Sequence, residues 1–242
     1  MKEKFMMQSL KQLYGNKLGA SDGEIGHVKD FYFDDQNWAV RYLVADTGSW
    51  LTGRQVLLSP HAITGVYQPG KLLLLKYTKK QIEDSPSIET HQPVSRQYEA
   101  DYYQYYGWPN YWQGDGLWGT TGFPMVVTPV NPFQAKPGKA ATPHPKGADA
   151  HLRSTQAVNG YHIKATDGLA GHVSDFMMDE RSWAIHELVV KTGHRLSGKE
   201  VRIQVGKVAR ISYEESTVFV NLTAAAVEQS PAHGVAETAA AA

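Results

Sequence analysis

Residues 9–86 can be laid on residues 154–231 without a gap, at a constant offset of 145. Gly15 then falls on Gly160, Asp22 on Asp167, Gly26 on Gly171, His27 on His172, Asp30 on Asp175, Asp34 on Asp179 and Trp38 on Trp183. Thr47, Gly48, Leu51, Gly53, Thr78 and Pro86 fall on Thr192, Gly193, Leu196, Gly198, Thr223 and Pro231. Agreement at so many glycine, aspartate and tryptophan positions identifies an internal duplication. The chain is constrained to fold as two copies of one module, and any function has to accommodate both.

Each copy reads as a series of short strands. In the first, Ser9 to Gly15 allows one helical turn with Ser9 as its cap. Lys17–Ala20 is a strand candidate, and Ser21-Asp22-Gly23-Glu24 a turn, because Asp-Gly readily supplies the backbone of a tight hairpin. Ile25–Phe33 and Trp38–Ala45 follow as strands rich in β-branched and aromatic residues, joined by the turn Asp34-Asp35-Gln36-Asn37. Alternation puts Trp38, Val40, Tyr42 and Val44 on one face of the second, with Ala39, Arg41 and Leu43 on the other. Arg54–Leu58, Ile63–Tyr67 and Leu72–Tyr77 complete the series. Thr78-Lys79-Lys80-Gln81 has capping-box spacing and opens a short helix that ends by Pro86. Short strands at close spacing, with turn signals between them, predict a small, strongly curved all-β barrel in each copy.

The expected organisation is a first barrel over 9–86, an insert and linker over 87–153, a second barrel over 154–231 and a disordered tail over 232–242. The insert opens with Arg96 to Gly107, a helix candidate that places Tyr98, Tyr102 and Tyr105 or Tyr106 on one face. An aromatic loop with Trp108, Tyr111, Trp112 and Trp118 follows. From Thr128 to Ala150 proline, lysine, alanine and glycine dominate, as in an extended linker.

Composition narrows the functional classes. Lysine and arginine number 24 against 24 aspartates and glutamates, so the chain carries no electrostatic footprint for nucleic acid or anionic lipid. The sequence has no cysteine, which removes disulfides, thiolate metal sites and thiol nucleophiles. No secretory signal is evident at Met1 to Met7, and no stretch reaches the ~20 apolar residues of a membrane span. The expectation is a cytoplasmic protein without a cofactor.

The run Asp22-Gly23-Glu24-Ile25-Gly26-His27-Val28-Lys29-Asp30-Phe31, followed by Trp38-Ala39-Val40-Arg41-Tyr42-Leu43-Val44 and by the Thr47-Gly48 to Ser59-Pro60 segment, resembles the PRC-barrel family. That barrel forms the cytoplasmic domain of the photosynthetic reaction-centre H subunit and the C-terminal half of a ribosome maturation factor. The resemblance extends over both copies. It implies two tandem barrels that bind or scaffold proteins rather than catalyse. The second copy departs from the pattern at Lys199, Arg195 and Gln204-Val205, where the first has Arg54, Trp50 and Ser59-Pro60. The membrane helix of the H subunit has no counterpart here, which argues against a reaction-centre role.

His27 and His172 are candidate binding residues, since histidine titrates near neutrality. No other histidine stands at ligand spacing, so a strand role retained from the duplication competes with that reading. Asp22, Asp30, Asp34 and Asp35, echoed by Asp167, Asp175, Asp179 and Glu180, do not follow a calcium-loop spacing, and turn formation accounts for them. Gly23–Gly26 and Gly168–Gly171 precede strands, leaving no helix N-terminus for a phosphate. The rings of the insert, Tyr98, Tyr102, Tyr105, Tyr106, Trp108, Tyr111, Trp112 and Trp118, are candidates for a binding surface, with Arg96 beside them. The competing expectation is that they pack across one or both barrels and complete a core too small to stand alone. The sequence thus points to a non-enzymatic interaction or scaffold protein with an unidentified protein partner, or with barrel–barrel or homo-oligomer contacts. A small-ligand or carbohydrate-binding protein using the insert is the alternative.

Overall fold

The computed structural model describes residues 6–48, 51, 55–67, 71–85, 94, 96–112, 114–125, 152–193 and 198–234, without the side chains of 96–98. The expected Pro-rich linker and the last part of the tail lie outside these residues. In chain order the elements are β1 (Met7–Ser9), β2 (Lys17–Ala20), β3 (Gly23–Asp34), β4 (Ala39–Asp46), β5 (Gln55–Leu58), β6 (Ile63–Tyr67), β7 (Leu72–Leu75), α1 (Lys79–Glu83) and α2 (Arg96–Tyr106). There follow β8 (Leu152–Ser154), α3 (Thr155–Val158), β9 (His162–Lys164), β10 (Leu169–Asp179), β11 (Ile185–Lys191), β12 (Glu200–Gln204), β13 (Val208–Ser212), β14 (Thr217–Val220) and α4 (Ala224–Glu228). The fold is mainly β, as the sequence predicts.

Two seven-stranded sheets repeat one topology. The first has the order β5-β4-β3-β2-β7-β6, the second β12-β11-β10-β9-β14-β13. Each is mixed, because β2 runs parallel to β7 and β9 parallel to β14 while the other pairs are antiparallel. The strand order ends at β5 and β6 in one sheet and at β12 and β13 in the other, so neither sheet closes into the expected barrel among the described residues.

The seventh strand of each sheet is the segment that leads into the opposite copy. β1 pairs with β10, Met7 opposite Asp179 and Ser9 opposite Met177. β8 pairs with β3, Leu152 opposite Asp34 and Ser154 opposite Tyr32. The two registers are identical at the repeat offset. A β-bulge fixes the anchor in each: Asp30 and Asp175 both follow a register shift. The Ser9 hydroxyl donates to the Asp175 carboxylate, and the Ser154 hydroxyl to that of Asp30. Each aspartate also accepts the next backbone amide, Phe176 or Phe31, at 2.7 Å. Leu10, just past β1, is fully buried.

Two compact units result, divided differently from the sequence repeat. Unit one gathers Met1–Gln12, Thr155–Asp179 and Ile185–Ala242; unit two gathers Leu13–Ser154 and Glu180–Ala184. The insert helix therefore belongs to the unit built on the first copy rather than forming a separate segment.

The shared motif has identifiable structural work. Gly26 and Gly171 adopt φ of +130° and +140°, and a Cβ on them would lie 2.0 and 2.3 Å from the carbonyl oxygens of Asp46 and Lys191. Only glycine lets the neighbouring strand approach so closely. Asp22 and Asp167 do more than turn the chain: each accepts the first amide of a helix 57 residues on, Lys79 or Ala224, at 2.7 Å. The expected capping box is present, Thr78 accepting from the Gln81 amide and the Gln81 side chain from the Thr78 amide. Asp34 holds its turn through the amides of Gln36 and Asn37 at 2.9 and 3.1 Å.

Candidate functional site

The insert closes over the first copy around a buried arginine. Between Tyr32↔Tyr42 and Phe33↔Val40, β4 contributes one residue more than β3, and that bulged residue is Arg41. A bulge redirects its side chain; here the guanidinium, 1% exposed, meets the insert. It donates to Asp34 at 3.1 Å and to the Leu117 carbonyl at 2.6 Å. The Tyr111 ring lies 3.9 Å from its carbon and the Trp118 ring 5.0 Å, both within cation–π range. Burial pushes the Asp34 carboxyl up, but the Asn37 side chain, Arg41 and the backbone amides of the turn outweigh it and hold the group below its usual range.

Beside this pair, buried Glu99 of α2 accepts from the hydroxyls of Tyr42 and Tyr111, each at 2.7 Å. Burial first, and the Glu99 charge second, push the Tyr42 phenol well above its ordinary value, so it stays a donor. Tyr102 donates to the Leu57 carbonyl at 2.6 Å. His61, 2% exposed, stacks on Trp108 at 5.3 Å and meets the edge of Trp118 at 5.0 Å. Burial, reinforced by Lys76 and Arg41, lowers its pKa to about 3, so the ring is neutral. The Trp118 indole donates to the Ser182 carbonyl at 2.7 Å.

The sequence-predicted ring residues thus separate. Tyr102, Trp108, Tyr111 and Trp118 are buried in unit two, Tyr106 and Trp112 half-buried, and Tyr105 exposed while donating to the Gln81 carbonyl at 2.9 Å. Tyr98 lies on α2, its side chain outside the described residues, as is that of Arg96. Sequence reasoning missed Arg41, Glu99 and His61. The available signal was an arginine inside an apolar strand run whose second-copy counterpart is His186.

His27 and His172 are not brought into a ligand set. His27 is exposed, with Nε2 4.0 Å from Asp46; His172 is half-buried opposite Lys191 and His162 in the ladders of β10. No group of three or more His, Asp or Glu side chains that could hold a metal occurs among the described residues. A shallow pocket in unit one is lined by Ser9, Lys11, Gln12, Asp175, Glu200 and His233. Its Asp175 is already occupied by Ser9 and the amides of Lys11 and Phe176. No helix of the described residues is long and apolar enough to cross a membrane.

A surface difference between the copies stands out on the β6–β7 hairpin. Leu73 and Leu75 face the core, while Leu72 and Leu74 alternate outward, and Leu74 is 43% exposed. Opposite them on β6 are Gly65, across from Leu74, and Tyr67, across from Leu72 and 56% exposed. The equivalent hairpin of the second copy has Arg210 at the Gly65 position. Its guanidinium covers the Phe219 ring at 3.6 Å and pairs with Glu215 at 3.2 Å. Ser212 and Thr217 replace Tyr67 and Leu72 there.

The fold and these features define a duplicated, mainly β protein. Its buried ionisable cluster is engaged in packing, and the outward face of the first copy's β6–β7 hairpin is apolar. No protein-family model matches the chain, and no curated protein matches it.

Proposed function

We propose that this chain is a non-enzymatic protein-interaction module made of two PRC-type barrel modules, with binding carried by the sheet face of the first copy rather than by an open ring cluster. The observation that carries this reading is the β6–β7 hairpin. Tyr67 and Leu74 are exposed and Leu72 half-buried in one copy, whereas the other copy covers the Leu74 position and puts polar side chains at the other two. An apolar face kept by one of two duplicated modules is the expected trace of a contact surface. The small-ligand reading has less support, because the insert rings mostly pack against Arg41, Glu99 and His61.

The test is quantitative co-purification from the native host with the wild-type chain and a Leu74→Arg variant. Recovery of defined proteins, or of the chain itself, that depends on Leu74 supports the reading. Identical recoveries by both chains, with catalytic turnover in a broad substrate screen, would replace it with an enzymatic one.

A further inference from the structure

We propose that β6 is a self-pairing edge: two copies of this chain join by antiparallel addition of β6 to β6, Val66 opposite Val66. The proposal rests on the interaction reading above and names its partner. β6 ends the strand order of its sheet, so one side of its backbone has no strand partner among the described residues. Such an edge is ordinarily guarded by charge, proline, a β-bulge or a covering element, because it templates pairing with another chain. β6 reads Ile-Thr-Gly-Val-Tyr and carries no charge or proline, and its bulge at Thr64 lies outside Gly65–Tyr67. The corresponding edge β13 carries Arg210 at its centre.

That difference selects a second copy as the occupant. In a twofold antiparallel pairing the same residues meet across the axis, and like charges placed opposite one another are destabilising. A β13 pair would bring arginines near one another; a β6 pair brings none. The side chains also complement themselves. With Val66 on the axis, each Tyr67 faces the partner's Gly65, both on the outward surface that Leu72 and Leu74 define. A Cβ on Gly65 would have nothing within 4 Å, so the glycine leaves open space beside exposed Leu74. A ring laid across an edge glycine is a recognised way of pinning sheet register. The partner's Tyr67 would extend the row Leu74–Gly65 by one ring, and the twofold supplies that contact twice. In this register Gly65–Tyr67 of one β6 meet Gly65–Tyr67 of the other, and three residues with two rings cover less than the roughly 800 Å² per partner of a stable interface, so the pairing is expected to depend on concentration.

The absence of cysteine provides a direct probe. Residues opposite one another in an antiparallel pair have Cα atoms about 4.5–5.5 Å apart, within disulfide range. Val66→Cys is therefore expected to form a disulfide-linked dimer of the full chain under mild oxidation, whereas Thr64→Cys, off the axis, is not. By sedimentation over roughly 1 µM to 1 mM, the range of weak association, wild type is expected to shift from monomer to dimer. Gly65→Arg, which copies the second module and adds a side chain where there is space and no positive φ, is expected to stay monomeric with an unchanged circular dichroism spectrum. A wild type that stays monomeric throughout, or a dimer that survives Gly65→Arg, overturns the pairing. A monomeric chain that still captures another protein through Leu74 overturns the pairing alone and leaves the interaction reading standing.

Discussion

Replacing Arg41 by methionine isolates what holds the insert onto the first copy. Methionine refills most of the apolar stem, so the loss is that of the guanidinium rather than a cavity. The part-buried Leu117 carbonyl loses the donor it meets at 2.6 Å, at about 1–3 kcal/mol where water does not replace it. Asp34 keeps the amides of Gln36 and Asn37 but loses its buried counter-charge. The faces of Tyr111 and Trp118 lose a cation at 3.9 and 5.0 Å, about 0.5–2 kcal/mol each. These overlap, and removing one member of a buried ion pair costs about 3–5 kcal/mol in all. Urea unfolding followed by tryptophan fluorescence reports the effect, because the residue ranges of unit one contain no tryptophan. The fluorescence transition should move to lower urea by that amount. His186→Met, at the same bulge of the second copy, should leave it within about 1 kcal/mol of wild type. An Arg41→Met loss below about 1 kcal/mol, or one matched by His186→Met, would refute the account of the insert as an arginine-centred cap.

His61 should impose acid sensitivity on the same transition. Its folded pKa of about 3 lies below the ordinary 6.5, so the folded state binds fewer protons between those values. Stability is then complete above pH 6.5 and falls on acidification, by at most about 1.4 kcal/mol per unit. A His61→Phe variant should lose this part of the slope, read as the difference from wild type in urea midpoints between pH 7 and 4.5, so that the titration of the other nine histidines cancels. Ser154→Ala and Ser9→Ala each remove a hydrogen bond to a carboxylate that anchors an exchanged strand, at about 1.5–3 kcal/mol. Only Ser154→Ala should shift the tryptophan transition; both should raise amide exchange on the strand each serine closes.

Much of the fold is legible in the sequence because its signals are local. The Asp-Gly turns, the capping box at Thr78 and the period of β2 to β7 each depend on a few neighbouring residues. The exchange of β1 and β8 is not local. Both are three-residue strands, and both sheets offer the same Asp-Phe bulge as a receptor. A duplicated sequence cannot encode which of two near-identical partners its edge will join; chain connectivity decides that. The buried cluster was half legible. Rings in the insert announced packing, but alternation assumed an unbroken β4, and the bulge that sends Arg41 into the cluster shifts the phase at that residue. Glu99 carries no local signal of its role, since the two tyrosine hydroxyls that meet it come from β4 and from the loop after α2.

The asymmetry between the copies bears on assembly. A chain with two unguarded, self-complementary edges would add partners at both and propagate; a chain with one stops at two. β6 carries Gly65, and β13 carries Arg210 held over Phe219 and paired with Glu215. β5 is met by the Tyr102 hydroxyl and β12 by Pro231 and His233, so of the two remaining end strands one is guarded and the other open, the arrangement that permits a closed dimer. Arg210→Gly tests this directly. It bares Phe219 as Leu74 is bared in the first copy and removes the charge from the β13 edge. In the wild-type background the variant should form species larger than dimer by light scattering at high concentration. Combined with Gly65→Arg it should fall back to dimers joined through β13. An Arg210→Gly chain that assembles no further than wild type would show that the arginine is not what guards the second edge.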